Sequence, residues 1–403
     1  MQFIKSVPRY LLTRGLGGIS PQVYWTRWSC LRYGEVPEPT LPGPDWVRVK
    51  TIYGGICGSD LHLVTLEQSP SMSPYASFPF VIGHENVGTV VEVGGEVADV
   101  QLGQRVVVNP LLSCVPRGIQ PLCPRCQAGD PGLCENFTAG RLAAGMSIGS
   151  CRDTGGSWGE FFVAHRSQLY PVPEGVTDEQ ALLTEPLACA LRAVLRHPPR
   201  PGQTCLVVGA GVIGLLVVAV LRAQGHSGPI LVLARHQHQA SLARRFGADQ
   251  VIRSGRGSLQ KVARALGART LETMIGPPVL SGGAEVVYEC SGSSSGLDTA
   301  LRCAGRGGQV VLLGLATFPR GLDWSFIWRN ELQLRGVFWY GLEPWQGRRV
   351  PAFHLALQLM AEGKVDPAPL LTHTFALEDY PRALDAATHK ATSGVVKAAF
   401  SFR

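Results

Sequence analysis

The sequence predicts an α/β protein with a doubly wound parallel sheet and a second domain rich in β-strands, and three observations support this. The stretch from Thr204 to Arg235 reads strand, glycine turn, helix, strand, which is the repeating unit of a parallel sheet. From Gln22 to Val107, short β-rich runs alternate with turn clusters, as in an antiparallel, barrel-like domain. A chain of 403 residues also exceeds what one hydrophobic core usually supports, so two domains are expected.

The glycine turn has the spacing of a dinucleotide-binding site. It reads Gly209-Ala210-Gly211-Val212-Ile213-Gly214 and lies between a buried apolar run and an apolar helix. Gly209 permits the tight turn, Gly211 lets the backbone approach a pyrophosphate, and Gly214 lets the helix pack closely on the strand. We therefore predict that Gly209, Gly211, Val212, Ile213 and Gly214 bind a dinucleotide in a Rossmann-type domain. The alternative is an ordinary strand-to-helix turn.

The end of the next strand favours one dinucleotide over another. Folds that take NAD place an acidic residue there for the ribose 2′-hydroxyl, whereas this chain has Ala234 and Arg235. A small residue followed by a guanidinium fits a 2′-phosphate, so NADP is favoured over NAD. The alternative is that Arg235 is solvated and cofactor choice is relaxed. Ser291 and Gly314 end two later strands and are predicted to face the same cofactor.

Composition and charge exclude several classes of function. The net charge of +7 comes from scattered Lys and Arg residues, so no nucleic acid partner is expected. The longest apolar run, Leu206 to Leu221, is short for a membrane span and contains glycines, so no membrane is expected either. The amino terminus is basic but lacks the apolar core of a secretory signal. Eleven cysteines in such a chain indicate thiols and metal ligands in a reducing compartment, and we expect a cytoplasmic protein.

Two short motifs in the β-rich part carry metal ligands. One is GICGSDLH at 55–62 and the other is GHEN at 83–86. Thiolate and imidazole are the ligands that zinc prefers, and a catalytic zinc site has about three protein ligands and one open position. Either motif alone would fit a buried thiol or a structural histidine, but together they favour a metal site.

A cluster of four cysteines follows, at Cys114, Cys123, Cys126 and Cys134. Four cysteines within 21 residues, two of them in Cys-x-x-Cys, predict a closed tetrahedral zinc lobe. The first cysteine lies nine positions before the second, so residues 115–122 are read as a loop that still brings Cys114 to the metal. The alternative is a three-cysteine remnant without metal.

With TEPLACA at 184–190, these motifs make the chain resemble the zinc-dependent medium-chain dehydrogenases/reductases, the superfamily of alcohol and polyol dehydrogenases. The resemblance covers nearly the full length and implies a discontinuous GroES-like β-barrel domain beside the Rossmann domain. We expect the barrel at 1–175, with the zinc lobe at 113–135. The Rossmann domain is expected at 176–345, and 346–403 would complete the barrel.

The resemblance also implies a ligand set for the catalytic zinc. Cys57 and His84 would bind the ion, with Glu85 beside them as a direct or exchangeable ligand. Glu185 would supply the remaining ligand, as in polyol-type members of the family, and Asp60 would orient the ligand histidine. The alternative for Glu185 is a carboxylate at a helix start. Members of this family that lack zinc, and the same fold as a non-catalytic binding protein, are the alternative hypotheses.

The implied reaction places a Lewis acid next to a hydride carrier. Hydride would pass between a secondary alcohol or polyol, or its carbonyl, and NADP(H) or NAD(H). Ser59 would contact the substrate oxygen, and His62 would end a proton relay. The family also implies a homodimer or homotetramer.

Overall fold

A computed structural model describes residues 1–403 and places the β-rich portion and the parallel sheet in two separate units. Unit 1 consists of Met1–Glu185, Tyr340–Leu342 and Phe353–Arg403. Unit 2 consists of Pro186–Trp339 and Glu343–Ala352. None of the helices has the length and apolar character that a transmembrane span requires.

The first 183 residues form mostly short elements separated by turns. They are, in chain order, β1 (Gln2–Phe3), α1 (Val7–Gly17), β2 (Leu31–Arg32), β3 (Trp46–Ile56), α2 (Gly58–Val64), β4 (Phe80–Val81), β5 (Asn86–Val93), β6 (Arg105–Val108), α3 (Pro124–Gln127), β7 (Phe161–His165), β8 (Leu169–Pro171) and α4 (Asp178–Ala181).

Helices and strands then alternate up to residue 351. These elements are α5 (Thr184–Arg196), β9 (Cys205–Val208), α6 (Val212–Ala223), β10 (Ile230–Ala234), α7 (Gln237–Arg245), β11 (Gln250–Arg253), α8 (Ser258–Ala265), β12 (Arg269–Leu271), β13 (Val279–Ser281), β14 (Ala284–Glu289), α9 (Ser294–Cys303), β15 (Ala304–Leu312), α10 (Ser325–Arg329), β16 (Gln333–Gly336), β17 (Leu342–Trp345) and β18 (Arg348–Pro351).

The chain closes with α11 (Ala352–Ala361), β19 (Leu371–Phe375), α12 (Tyr380–Thr388), α13 (Lys390–Ser393) and β20 (Lys397–Ser401).

The main sheet of unit 1 is built around β3. Its strands follow the order β19-β20-β3-β5-β6-β8, and β7 also pairs with β3. All pairs are antiparallel except β19 with β20. Near the end of β3, Gly55 lies opposite Ala399 of β20. The last strand of the chain therefore runs beside the residues that lead into Cys57.

Unit 2 contains a six-stranded, fully parallel sheet in the order β11-β10-β9-β14-β15-β16. Every residue of β9 and β10 is buried, because helices cover both faces of such a sheet. The order reverses between β9 and β14, and ligands of this fold bind beyond the carboxyl ends of the strands at that point. The predicted fold class is confirmed.

Candidate active site

Asp60 connects the two predicted metal-binding motifs. Its Oδ2 accepts a hydrogen bond of 2.9 Å from the backbone N–H of Cys57, and its Oδ1 lies 3.3 Å from Nδ1 of His84. The side chains of Cys57 and His84 also hydrogen-bond to each other. Asp60 and His84 are both buried. One carboxylate thus fixes both the loop after β3 and the orientation of the imidazole ring.

The surroundings of His84 favour a positive charge. Burial lowers the pKa of His84, but the negative charge of Asp60 and hydrogen bonds to Asp60 and Cys57 raise it well above the usual value. A divalent cation bound at this place would supply the same positive charge that a proton supplies. The donor set of thiol, imidazole and orienting carboxylate therefore fits zinc.

Glu85 contacts a lysine that sequence reasoning missed. Its Oε2 forms an ion pair with Nζ of Lys397, and Nζ also donates a 3.0 Å hydrogen bond to the carbonyl of Ile56. Glu85 is 1% exposed and Lys397 3% exposed. The only signal in the sequence is a lone cation within the apolar run VVKAAF. The role of Glu85 as a metal ligand stays a prediction.

The other predicted residues of this site lie on two helices, α2 and α5. Ser59 and His62 belong to α2, the same helix as Asp60, and both are partly exposed. Nε2 of His62 lies 3.9 Å from Oε2 of Glu67. Burial lowers the pKa of His62, and the opposing charge of Glu67 only partly offsets this. Glu185 is buried in the first turn of α5, and its part in the site stays a prediction.

The four cysteines of the predicted lobe come together around one point. Their sulfur atoms all lie within 4.8 Å of one another, with 3.6 Å between Cys114 and Cys134 and 3.9 Å between Cys123 and Cys134. A tetrahedral zinc with Zn–S bonds of about 2.3 Å would set its sulfurs roughly 3.7 Å apart. A hydrogen bond from Cys126 lowers the pKa of Cys134 to about 5. The long loop therefore does bring Cys114 to the cluster, and the four thiols fit a zinc ion.

The same long loop buries Arg117 completely. All five guanidinium N–H groups donate, at 2.6 to 3.1 Å, to backbone carbonyls of Leu112, Ala139, Leu142, Ala143 and Gly145. Burial lowers the pKa of Arg117, and the nearby Cys151, Cys134, Asp153 and Cys114 oppose this. Four thiolates around zinc carry a net negative charge, which this cation offsets. Sequence reasoning missed Arg117.

The glycine turn of unit 2 has the local geometry of an anion site. Gly209 has a φ of 101°, and Gly214 lies so close to the carbonyl of Gly209 that no side chain fits there. A Cβ on Gly211, in contrast, would meet no atom within 4 Å. The space above Gly211 is therefore open at the start of α6, where Val212 and Ile213 offer backbone N–H groups to an anion.

Two loops border this turn. Ser291 lies against Gly209, and Gly314 lies against the backbone of Gly292. The buried carboxylate of Glu289 holds the first loop, because it accepts hydrogen bonds from both the N–H and the hydroxyl of Ser291. The predicted cofactor residues of three strand ends, Gly209, Ser291 and Gly314, are thus neighbours.

Arg235 has a second arginine beside it. It follows Ala234, the last residue of β10, and Ala234 pairs in register with Arg253 on β11. Both guanidinium groups are exposed, and neither forms an ion pair. Sequence reasoning missed Arg253, because only the strand register brings it next to Arg235.

Comparisons with known proteins agree with this geometry. Residues 43–174 match the family model of the alcohol dehydrogenase GroES-like domain, and residues 212–357 match that of the zinc-binding dehydrogenases. The L-threonine 3-dehydrogenase of Anaeromyxobacter sp. (strain K) is 28% identical over 351 residues, which cover 87% of this chain and 90% of the relative.

Solved structures give the same result. A zinc-binding dehydrogenase from Sinorhizobium meliloti 1021 bound to NADP is 29% identical, with a TM-score of 0.69 over 92% of this chain and 95% of that one. Galactitol-1-phosphate dehydrogenase from Escherichia coli is 25% identical, with a TM-score of 0.69 over 92% and 96%. The (2R,3R)-butanediol dehydrogenase from Bacillus subtilis gives the same identity, TM-score and two coverages as the Escherichia coli enzyme.

The first family match contains Cys57, His84 and the cysteine lobe, and the second begins within the glycine turn, at residue 212. The chain therefore belongs to the zinc-binding, medium-chain dehydrogenase/reductase family and is an oxidoreductase.

Proposed function

We propose that this protein is a zinc-dependent dehydrogenase that transfers hydride between a secondary alcohol or polyol, or the corresponding carbonyl, and NADP(H) in preference to NAD(H). The observation that carries the proposal is the position of buried His84, which contacts both Cys57 and Asp60. A structural imidazole needs one such partner, whereas a thiol opposite a carboxylate-oriented imidazole is an arrangement that binds zinc.

The residues have separate tasks in the proposed reaction. Cys57, His84 and Glu185 would hold the catalytic zinc, with Glu85 as an exchangeable ligand. When bound, the ion polarises the substrate oxygen and lowers its pKa. Ser59 donates or accepts a hydrogen bond at that oxygen. His62, partly exposed and with a lowered pKa, is neutral near pH 7 and passes the proton to solvent.

A second, structural zinc would occupy the cysteine lobe. Cys114, Cys123, Cys126 and Cys134 leave no open coordination position, so this ion takes no part in catalysis. Its task is to fold residues 114–134, which contain only short helical turns.

The metal proposal is tested by Cys57→Ala in the purified protein. Metal analysis should show a loss of about one zinc per chain, and turnover should fall at least about a thousandfold because the Lewis acid is gone. Cys30→Ala is the control, since Cys30 is a buried thiol of unit 1 that donates a hydrogen bond to the backbone carbonyl of Ser6. Full turnover in Cys57→Ala would refute the proposal.

The substrates to test in an activity assay are chosen from the activities of the relatives and from two lysines near the candidate site. L-threonine, 2,3-butanediol and galactitol 1-phosphate correspond to the named activities of the relatives. Lys390 and Lys397 act electrostatically on Cys57 and Glu85, so substrates with a carboxylate or phosphate belong in the panel. Formation of reduced cofactor, followed by absorbance, identifies the substrate.

The preference for NADP is supported by Arg235 and Arg253, which lie at the ends of adjacent strands. Arg235→Asp should weaken NADPH binding at least about tenfold, because a charge-assisted hydrogen bond to the 2′-phosphate is lost. NADH binding should not weaken. Arg200→Asp, at another exposed arginine of unit 2, is the control. Equal loss for both cofactors would contradict the preference.

Two further features belong to this proposal. All eleven cysteines are free, which supports a reducing, cytoplasmic location. A homodimer or homotetramer is the assembly expected for the family, and sedimentation velocity of the purified protein measures it directly.

A further inference from the structure

Helix α1 packs on the protein through Tyr10, Thr13 and Gly17 and directs its aliphatic side chains outward. Its buried residues are Thr13 and Gly17, and a Cβ on Gly17 would clash with the ring of Tyr24. The apolar side chains are instead exposed by 63, 64, 46 and 42% at Val7, Leu11, Leu12 and Leu16. An ordinary surface helix has the opposite arrangement, with leucines inward and polar residues outward. The outward leucines therefore indicate that something else covers them.

Several hydrogen bonds fix this orientation. Nη1 of Arg9 donates to the carbonyls of Arg27 and Ser29, at 3.2 Å each. Nη1 of Arg14 donates to the carbonyl of Leu66 at 2.8 Å. The helix is thus held from both sides, and the exposed leucines are a property of the folded chain.

The charges around α1 identify what covers it. Residues 1–34 contain five cations and no Asp or Glu. Four of the cations are exposed: Lys5, Arg14, Arg27 and Arg32. Ile19, Trp28 and Tyr33 in the same segment are also exposed, and the guanidinium of Arg27 lies 4.9 Å from the Trp28 ring centre. An apolar face bordered by cations and amphipathic aromatic rings matches the boundary between lipid headgroups and acyl chains.

We propose that residues 1–34 bind the surface of an anionic lipid bilayer. The side chains of Leu11 and Leu12 enter the acyl boundary, the exposed cations contact lipid phosphates, and Trp28 lies at headgroup level. The helix is 11 residues long, so it lies in the surface and does not span it. This differs from our expectation from sequence, which considered only membrane-spanning runs.

A second copy of the chain is a poorer occupant of this surface. A symmetric contact would bring five cations against five cations, with no Asp or Glu among residues 1–34 of either copy to pair with them. The proposed surface also lies outside the matched dehydrogenase domains, the first of which begins at residue 43. Membrane binding and dehydrogenase activity are therefore separate properties.

The test is cosedimentation of the full chain with vesicles of phosphatidylcholine alone and of phosphatidylcholine mixed with phosphatidylglycerol. Binding is expected only to the mixed vesicles, and it should weaken as salt is added. The double variants Leu11→Glu/Leu12→Glu and Arg27→Glu/Arg32→Glu should each lose at least about tenfold in affinity. Leu102→Glu is the matched control, since Leu102 is a 68% exposed leucine elsewhere in unit 1.

Three results would overturn the proposal. They are equal binding to both vesicle types, no binding to the mixed vesicles, and unchanged binding of the Leu11→Glu/Leu12→Glu variant. Sedimentation velocity without vesicles supplies a fourth, because a smaller assembly in that variant would assign the leucines to a contact between copies. Thermal unfolding and circular dichroism verify that the variants fold. Dehydrogenase activity is not a readout, so failure here leaves the proposed function untouched.

Discussion

At the scale of single residues, the protein buries several charged side chains, and each of them has a defined set of partners. Arg117 uses all five of its N–H groups on backbone carbonyls, and Lys397 is enclosed with Glu85. Such groups are costly to bury without partners, so removing one member of a set should cost much more than removing a surface charge. This gives two predictions about stability.

The first concerns Arg117. Arg117→Met should lower the free energy of unfolding by at least about 3 kcal/mol, because five buried carbonyls lose their donors. Arg117→Lys should recover only part of this, since an ammonium has three donors and lacks the planar fork. Urea unfolding measures the change, and the zinc content should fall with it. A loss below about 1 kcal/mol would contradict the role given to Arg117.

The second concerns the ion pair between Glu85 and Lys397. Lys397→Met leaves a buried carboxylate without its partner and should cost about 3 to 5 kcal/mol. Glu85→Gln combined with Lys397→Met should be more stable than Lys397→Met alone, because no uncompensated charge remains. Urea unfolding of both variants measures this. Equal stability of the single and double variants would contradict this, because it would mean that the Glu85 side chain is not a buried negative charge.

The lowered pKa of His62 leads to a prediction about the pH dependence of alcohol oxidation. Its lowered pKa means that the imidazole is neutral and able to accept a proton at pH values above the usual 6.5. Alcohol oxidation should therefore stay level as pH falls to 6.5 and decline only below it. Glu67 raises this pKa, so Glu67→Gln should move the decline to still lower pH. Glu96→Gln, at another exposed carboxylate of unit 1, is the control. If the decline in Glu67→Gln occurs at the same pH as in the native protein, His62 is not part of the proton path.

At the scale of elements, two glycines of the turn between β9 and α6 have different tasks. One leaves space for a ligand, and the other is required for the fold. A methyl group on Gly211 meets no protein atom and the residue has a φ of −78°, so Gly211→Ala should fold with unchanged stability. It should nevertheless weaken NADPH binding at least about tenfold, because the methyl group occupies the space of the pyrophosphate. Gly214→Ala should instead lower stability, since its methyl group meets the carbonyl of Gly209. Fluorescence titration and urea unfolding distinguish the two.

Elements whose pattern is local were predicted well from the sequence. The unit β9, turn, α6, β10 is one, because apolar runs and three glycines specify it within 30 residues. The start of α4 is equally local, since Thr177 caps it and exchanges two hydrogen bonds with Gln180, three residues later. The connection 252–281 was not explained by the sequence. It contains α8 and the hairpin β12–β13, whose loop exposes Met274 and Ile275 and therefore lacks the apolar pattern of a buried element.

Helix α1 shows a different limit. Its leucines suggest an ordinary amphipathic helix with the apolar side inward, and only its packing reveals that the apolar side is outward. The reason is steric, because Gly17 admits the ring of Tyr24 where a larger residue would clash. A sequence pattern shows which residues share one side of a helix, but it does not show which side packs on the rest of the protein.

At the scale of the whole molecule, residues far apart in sequence complete the sites. The motifs with Cys57 and His84 are local and were recognised, whereas Lys397 is 340 positions after Cys57 and is brought close only by the pairing of β20 with β3. Arg253 depends likewise on the register between β10 and β11. The metal ligands lie in short sequence motifs that can be recognised. Their buried partners are brought near by strand pairing, which one sequence alone does not specify.

Metal content tests the two zinc sites together. The native chain should hold about two zinc ions, one at Cys57 and His84 and one in the cysteine lobe. Cys126→Ser should retain about one and lose thermal stability, because the lobe loses a ligand while the catalytic ligands remain. Elemental analysis and thermal unfolding measure both. Two ions in this variant would mean that the lobe does not bind zinc through four sulfurs.

The guanidinium of Arg117 has a final consequence. All of its acceptors lie within residues 112–145, the same stretch that supplies the four sulfurs. The stretch thus carries its own counterion and takes no neutralising charge from the strands on which it sits. Neutralisation of the four thiolates is thus encoded in the same short stretch as the thiolates themselves.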